Sequence, residues 1–286
     1  MVKEHIKKLP QREEDTHKGD YGKVLVVAGS RGMTGAAYLT SQGALKSGSG
    51  LVTCAIPESL NEIMEVKLTE VMTLALPDKG TNSLGIESKK AILDFASKCD
   101  VVALGPGLGQ KDETQSLVKE LIEKIEKPLV IDADGINALG GQLDILRNRK
   151  GRTVLTPHPG EMARLLGKDI DSIRKDKEEV AKSVAEITSA VVCLKGHRTV
   201  VASPEGQIYV NETGNSGMAT GGMGDVLTGM IASFIGQGVE DYSASIISVY
   251  LHGLAGDIAA EKEGVFSMTA TDVLSNLHLA FERAGI

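Results

Sequence analysis

The stretch GNSGMATGGMGDVLTG, Gly214 to Gly229, holds six glycines and one carboxylate, Asp225. Beyond Gly224, apolar residues recur at Val226, Leu227, Met230, Ile231, Phe234 and Ile235, a helical stripe closed by Gly236 and Gly238. The glycines therefore lead into a helix N-terminus, where unpaired N–H groups and the positive end of the helix dipole attract an anion. The plain alternative is a flexible turn with Asp225 as an ordinary cap, but a cap needs only one such side chain. The surplus of glycine points instead to amides brought against phosphate around Gly222 and Gly224. No Lys-Ser or Lys-Thr pair follows, so this is not a Walker loop. Its position late in the chain disfavours a dinucleotide fingerprint.

Other chemistry-bearing residues follow apolar runs. LKGHRTVV offers Lys195, Gly196, His197, Arg198 and Thr199 to a phosphate or an adenine, or simply forms a basic lead-in to a hairpin. In TPHPGE, two prolines hold His158 outward as a ligand contact, and Glu161 opens the next helix; a solvated histidine and a dipole-serving glutamate are the alternatives. DADGIN places Asp132, Asp134 and Asn137 together, fit to position magnesium or polyphosphate, or to cap a turn and a helix. GPGLG, from Gly105, is a tight turn. Gly35, Ala36, Ala37, Gly43 and Ala44 let a helix lie close to the sheet or to a flat ligand. HGLAGD, from His252, reads as helix packing.

These residues need a frame. KVLVVAG, GLVTCAI, DVVALGPG, KPLVIDADG, RTVLTPHPGE and AVVCLKG are near-continuous apolar runs that end in glycine, aspartate or proline, as strands of a parallel sheet do. Helical segments alternate with them, as in ETQSLVKELIEKIE, where Leu117, Leu121, Ile122 and Ile125 share a face. Alternation of this kind implies a doubly wound sheet. TVVASPEGQIYV predicts a hairpin. Ligands in such sheets collect at the strands' carboxyl ends, where four of the loops above fall. No linker divides the chain, so residues 1–286 read as one domain. PDKGTNSLGIESKK, Pro77 to Lys90, is the softest stretch, a surface loop leading into a helix.

Composition bounds the function. A net charge of -7 argues against nucleic acid. No apolar run is long enough to span a membrane, and the charged N-terminus lacks a signal core. Cys54, Cys99 and Cys193 lie in or beside apolar runs and read as reduced core residues of a cytoplasmic protein. Glycine, 33 of 286 residues, exceeds the usual ~7%.

Taken in order from His17 to Ala260, HKGDYGKVLVVAGS, GAA, SGSGLVT, GPGLG, DADGIN, LTPHPGEMARLL, LKG, NETGNSGMATGGMGDVLTGMIA and YLHGLAGDIAA resemble the standalone bacterial NAD(P)H-hydrate dehydratases, metabolite-repair enzymes. The resemblance implies a ribokinase-like α/β/α fold with a mostly parallel central sheet. It implies that ADP or ATP, with magnesium, phosphorylates the ring hydroxyl of the S-epimer of hydrated NADH or NADPH. Phosphate then leaves and the double bond returns. By this likeness Asp225 is the catalytic base, and Gly222, Gly224 and Lys195 to Thr199 hold the nucleotide. Ala36, Gly107, His158 and Asp225 line the hydrate pocket, with Asp134, Asn137 and Glu161 left as candidates for metal or phosphate positioning. A homotetramer and a separate hydrate epimerase are further implications. Met223 departs from the pattern, which has threonine between the last two glycines. A vitamin or sugar kinase of the same fold and a non-catalytic nucleotide sensor are the alternatives. A carboxylate at a helix start is also expected to have a lowered pKa, making Asp225 a weak base.

Overall fold

The computed structural model describes residues 2–286. Its strands are β1 (Lys23–Val27), β2 (Leu51–Pro57), β3 (Met72–Leu76), β4 (Val101–Leu104), β5 (Leu129–Ile131), β6 (Thr153–Leu155), β7 (Val191–Leu194), β8 (Val200–Ala202) and β9 (Ile208–Val210). They form one sheet in the order β3-β2-β1-β4-β5-β6-β7-β8-β9. β1 to β7 pair in parallel, and β8 and β9 extend the sheet as an antiparallel hairpin. The six apolar runs and the hairpin lie where the sequence places them. β3 escapes the sequence pattern because it is an edge strand: most of MTLAL is partly or fully exposed, so no continuous apolar run marks it.

Side chains alternate between two cores. Val24 and Val26 of β1 enter one, Leu25 and Val27 the other. The first is covered by helices Thr34–Lys46, Met223–Gly236, Asp241–Glu263 and Ala270–Ala284. The second is covered by Lys89–Ala96, Asp112–Lys124, Pro159–Leu166 and Lys177–Thr188. The result is a three-layer α/β/α sandwich. Leu117, Leu121, Ile122 and Ile125 are buried together in the second core, as their spacing requires.

The small residues of Thr34–Lys46 serve a helix contact. A Cβ on Gly43 would lie 2.5 Å from the Val226 carbonyl oxygen, and one on Gly229 only 2.0 Å from that of Thr40. Backbone against backbone, this contact fixes helix Met223–Gly236 over the sheet. The Pro77 to Lys90 loop is better anchored than its composition suggests. Buried Asp78 accepts from the amides of Gly80 and Asn82, both at 3.0 Å, and from Ser59. The three cysteines are buried and unpaired, and burial pushes the Cys54 and Cys193 thiols up to about 12. Among the described residues, no helix is long and apolar enough to cross a membrane.

Candidate active site

The strand order reverses at β1, whose neighbours are β2 and β4, and the loaded loops line up along the carboxyl edge from this point to β7. At the switch, the Gly29 amide donates to the Pro106 carbonyl at 2.8 Å, and Ser30 Oγ to that of Gly107 at 2.8 Å. A Cβ on Gly107, whose φ is 65°, would sit 2.9 Å from Ala36 Cβ. Ala36 and Gly107 are thus brought together, and only glycine allows that approach.

Further along the edge lies a buried cluster of charge. Asp132, 1% exposed, accepts from Lys195 Nζ at 2.5 Å, Thr228 Oγ1 at 2.7 Å and the Ala133 amide at 2.9 Å. Glu161 Oε2 lies 4.0 Å from the same ammonium. Gly224 sits directly over the pair: a Cβ there would be 3.1 Å from Lys195 Nζ and 3.7 Å from Asp132 Oδ2. Asp225 follows on the first turn of helix Met223–Gly236. Burial, then the Asp132 charge, push its pKa up to about 7; Lys195 opposes them and Glu161 adds to the rise. This corrects the expectation of a weak base. The helix dipole favours the anion, but desolvation and a neighbouring carboxylate outweigh it. An acid with a pKa near 7 is well matched to proton transfer at neutral pH.

The helix above this cluster starts without a side-chain cap. Gly222, at φ 91°, is its N-cap, and the Val226 amide is the first to be satisfied, by the Gly222 carbonyl at 3.2 Å. The amides of Met223, Gly224 and Asp225 have no partner among the described residues. The glycine-rich approach is nevertheless firmly tied. Asp257 accepts from the Gly214 amide at 2.9 Å and from Asn215 Nδ2 at 3.0 Å, and Thr213 Oγ1 donates to the Tyr250 carbonyl at 2.8 Å. Gly253 and Gly256 let this segment lie against helix Asp241–Glu263, where a Cβ would meet Thr213 or Met218 at 2.3 Å. HGLAGD is therefore the anchor of the glycine motif as well as core packing. Met223 is 6% exposed in the first core, so its side chain turns inward and only its backbone faces the site. That placement makes methionine tolerable where the family pattern has threonine. His252, held neutral by burial with its pKa lowered to about 4, packs behind it.

His158, Asp134 and Asn137 each make hydrogen bonds within the fold. His158 Nδ1 accepts from the amides of Gly160 (2.9 Å) and Glu161 (3.2 Å), while Glu161 Oε2 accepts from the His158 amide at 2.8 Å, a reciprocal capping box. The His158 ring is half exposed on the site side of β6. Asp134 accepts from the Gly109 amide (2.8 Å) and Asn137 Nδ2 (3.2 Å), and Asn137 Oδ1 accepts from Arg164 Nε (3.1 Å). Both side chains are thus engaged in folding the β4 and β5 loops. Among the described residues, no group of three or more His, Cys, Asp or Glu is placed to hold a metal ion. A magnesium cage built from protein side chains alone does not fit.

Lys195 points to Asp132, so the side chain of the Lys195 to Thr199 loop nearest the sheet neutralises a carboxylate inside the protein. The remainder, Gly196 to Thr199, is a tight turn at the end of β7 with Gly196 at φ 124° and Arg198 at φ 54°. Asp132 and Thr228 are the participants that sequence reasoning undervalued. Asp132 appears in DADGIN beside Asp134, but nothing local says which of the two points inward.

The chain matches the family described as NAD(P)H-hydrate dehydratase over residues 24–279. It is 48% identical over 269 residues to a bifunctional NAD(P)H-hydrate repair enzyme, Nnr, of Moorella thermoacetica, covering 94% of this chain and 51% of that protein. It is 36% identical over 256 residues to an ADP-dependent (S)-NAD(P)H-hydrate dehydratase of Neisseria meningitidis, covering 89% of this chain and 82% of the other. Among solved structures, an ADP/ATP-dependent NAD(P)H-hydrate dehydratase of Bacillus subtilis, co-crystallized with ATP/Mg2+, superposes with a TM-score of 0.84 at 30% identity, covering 99% and 97% of the two chains. The chain spans about half the length of the bifunctional relatives it matches.

Proposed function

The chain belongs to the NAD(P)H-hydrate dehydratase family, and on that premise we propose that it restores NADH or NADPH from the S-epimer of its hydrate at the expense of ADP or ATP. The observation that carries this reading is the junction of an uncapped helix N-terminus with a carboxylate of near-neutral pKa. One binds the phosphate being transferred; the other takes the proton of the hydroxyl that receives it.

In this reading the nucleotide's phosphates lie against the amides of Met223 to Asp225, and the rest of the nucleotide against Gly196 to Thr199. The hydrate occupies the side toward Ala36, Gly107 and His158. Asp225 accepts the hydroxyl proton as that hydroxyl's oxygen bonds to the terminal phosphorus and the nucleotide's bridging oxygen leaves. The C–O bond of the phosphorylated ring then breaks, phosphate departs, and a proton leaves the adjacent carbon to restore the double bond. Phosphoryl transfer makes its main demands on positioning and charge stabilisation, which the helix amides and the buried Lys195–Asp132 pair are placed to meet. Magnesium, when bound, would neutralise phosphate charge. Asp134, Asn137 and Glu161 are the candidates to position it, and the ion would be carried chiefly by the phosphates and water. A cytoplasmic homotetramer and an independent epimerase activity complete the proposal.

The test is incubation of the protein with hydrated NADH and either ADP or ATP, following reduced-nicotinamide absorbance and inorganic phosphate together. Recovery of both in equal amounts is expected. A stable phosphorylated product without recovery would identify a kinase of the same fold. No turnover with either nucleotide and both epimers would remove the proposal.

A further inference from the structure

Resting on the nucleotide reading above, we propose that Lys177 is a positioning residue for the nucleotide, acting as a strap across the back of the Lys195 to Thr199 loop. Its ammonium donates to the His197 carbonyl at 2.9 Å and to the Arg198 carbonyl at 3.0 Å, twenty residues along the chain. Lys177 has no carboxylate partner within 4.0 Å among the described residues, and neither has Arg198. A half-buried lysine that bonds two consecutive carbonyls and no acid is fixing backbone geometry.

That geometry needs fixing. Arg198 occupies the left-handed region at φ 54°, a conformation a side-chain-bearing residue seldom adopts unless its surroundings impose it. The peptide unit is planar and trans, so the N–H groups paired with these two carbonyls, those of Arg198 and Thr199, point away from Lys177. The Arg198 amide finds no partner among the described residues. A positive charge on the carbonyl side polarises each peptide and strengthens its N–H as a donor toward an anion on the other face. Lys177 also forms part of the wall of a cavity of about 540 Å³ with Lys182, Arg198, Val200 and Ile208, so the strap is open to solvent on its outer side. Burial, and then the Arg198 charge, hold the Lys177 ammonium below its ordinary pKa.

The experiment compares Lys177→Met and Lys177→Arg with the wild type, measuring ADP and ATP dissociation constants by calorimetry, kcat and KM with hydrate and nucleotide, and Tm. Lys177→Met should weaken nucleotide binding by about tenfold, the scale of losing charge-assisted hydrogen bonds. Its kcat at saturating nucleotide and its hydrate KM should stay within about twofold of the wild type. Lys177→Arg, which can donate to both carbonyls, should recover most of the affinity. Unchanged nucleotide affinity in Lys177→Met would overturn the strap, as would a loss of kcat with nucleotide KM unchanged. If Lys177→Met does not fold, Lys177→Arg decides alone: wild-type affinity supports the strap and a tenfold loss overturns it. A wild-type protein that binds neither nucleotide removes the underlying reading and the strap with it.

Discussion

Two helices begin at the carboxyl edge of this sheet and treat their first turns in opposite ways. Helix Pro159–Leu166 is closed: His158 caps two amides, Glu161 answers with the reciprocal bond, and proline fills the first position, where no N–H is needed. Helix Met223–Gly236 is open: glycine stands at the cap, no side chain reaches back, and three amides stay free. Both starts carry an acid in the first turn. At the closed end Glu161 is engaged by the His158 amide; at the open end Asp225 makes no hydrogen bond with the chain and stays available. A capped terminus holds the fold, whereas an uncapped one with a firmly anchored approach is left for a ligand.

The contrast can be broken most severely at Asp225. Asp225→Asn should cut turnover by about three orders of magnitude, within the range for losing a general base, while calorimetry shows ADP affinity within about twofold of the wild type. Its stability should move the other way. The folded pKa of about 7 lies above the unfolded value, so ionising Asp225 costs folding stability as pH rises through that interval, and the full cost is felt above it. The asparagine variant should therefore denature no earlier than the wild type at pH 8. Lost stability there would contradict the burial argument.

Next comes the cap itself. Gly222→Ala places a Cβ 2.4 Å from Leu39 Cδ1 at φ 91°, and it should weaken nucleotide binding by about tenfold as the first turn shifts, with a destabilisation of about 1 kcal/mol. Unchanged affinity would show that the helix amides do not meet the phosphate. A smaller effect should appear in the pH profile. If Asp225 must be ionised, kcat/KM should rise with pH through about 7, and Glu161→Gln, by removing a charge that raises this pKa, should move the midpoint downward. An upward shift would reverse the proposed coupling. The smallest change belongs to the closed helix: His158→Ala should lower stability by about 1 kcal/mol and leave nucleotide affinity alone, read by denaturant melts beside calorimetry.

Much of this protein is legible along the chain. Apolar runs ending at glycine or aspartate place the interior strands, since a strand buried on both faces must be apolar throughout. The stripe from Val226 to Ile235 locates the helix behind the glycines because helical periodicity is local. The edge strand β3, half exposed, leaves no such trace. Within the site, the glycine count signals an open helix start. What the sequence could not settle was which acid faces inward. Asp132 and Asp134 stand two residues apart, yet one pairs with Lys195 from a strand two places away in the sheet and the other closes its own loop. Nor could it set the proton affinity of Asp225, which depends on burial and on carboxylates contributed by β5 and by the helix after β6. Periodicity and capping act over a few residues and are written in order along the chain. Desolvation and charge coupling act through space between residues that only folding brings together.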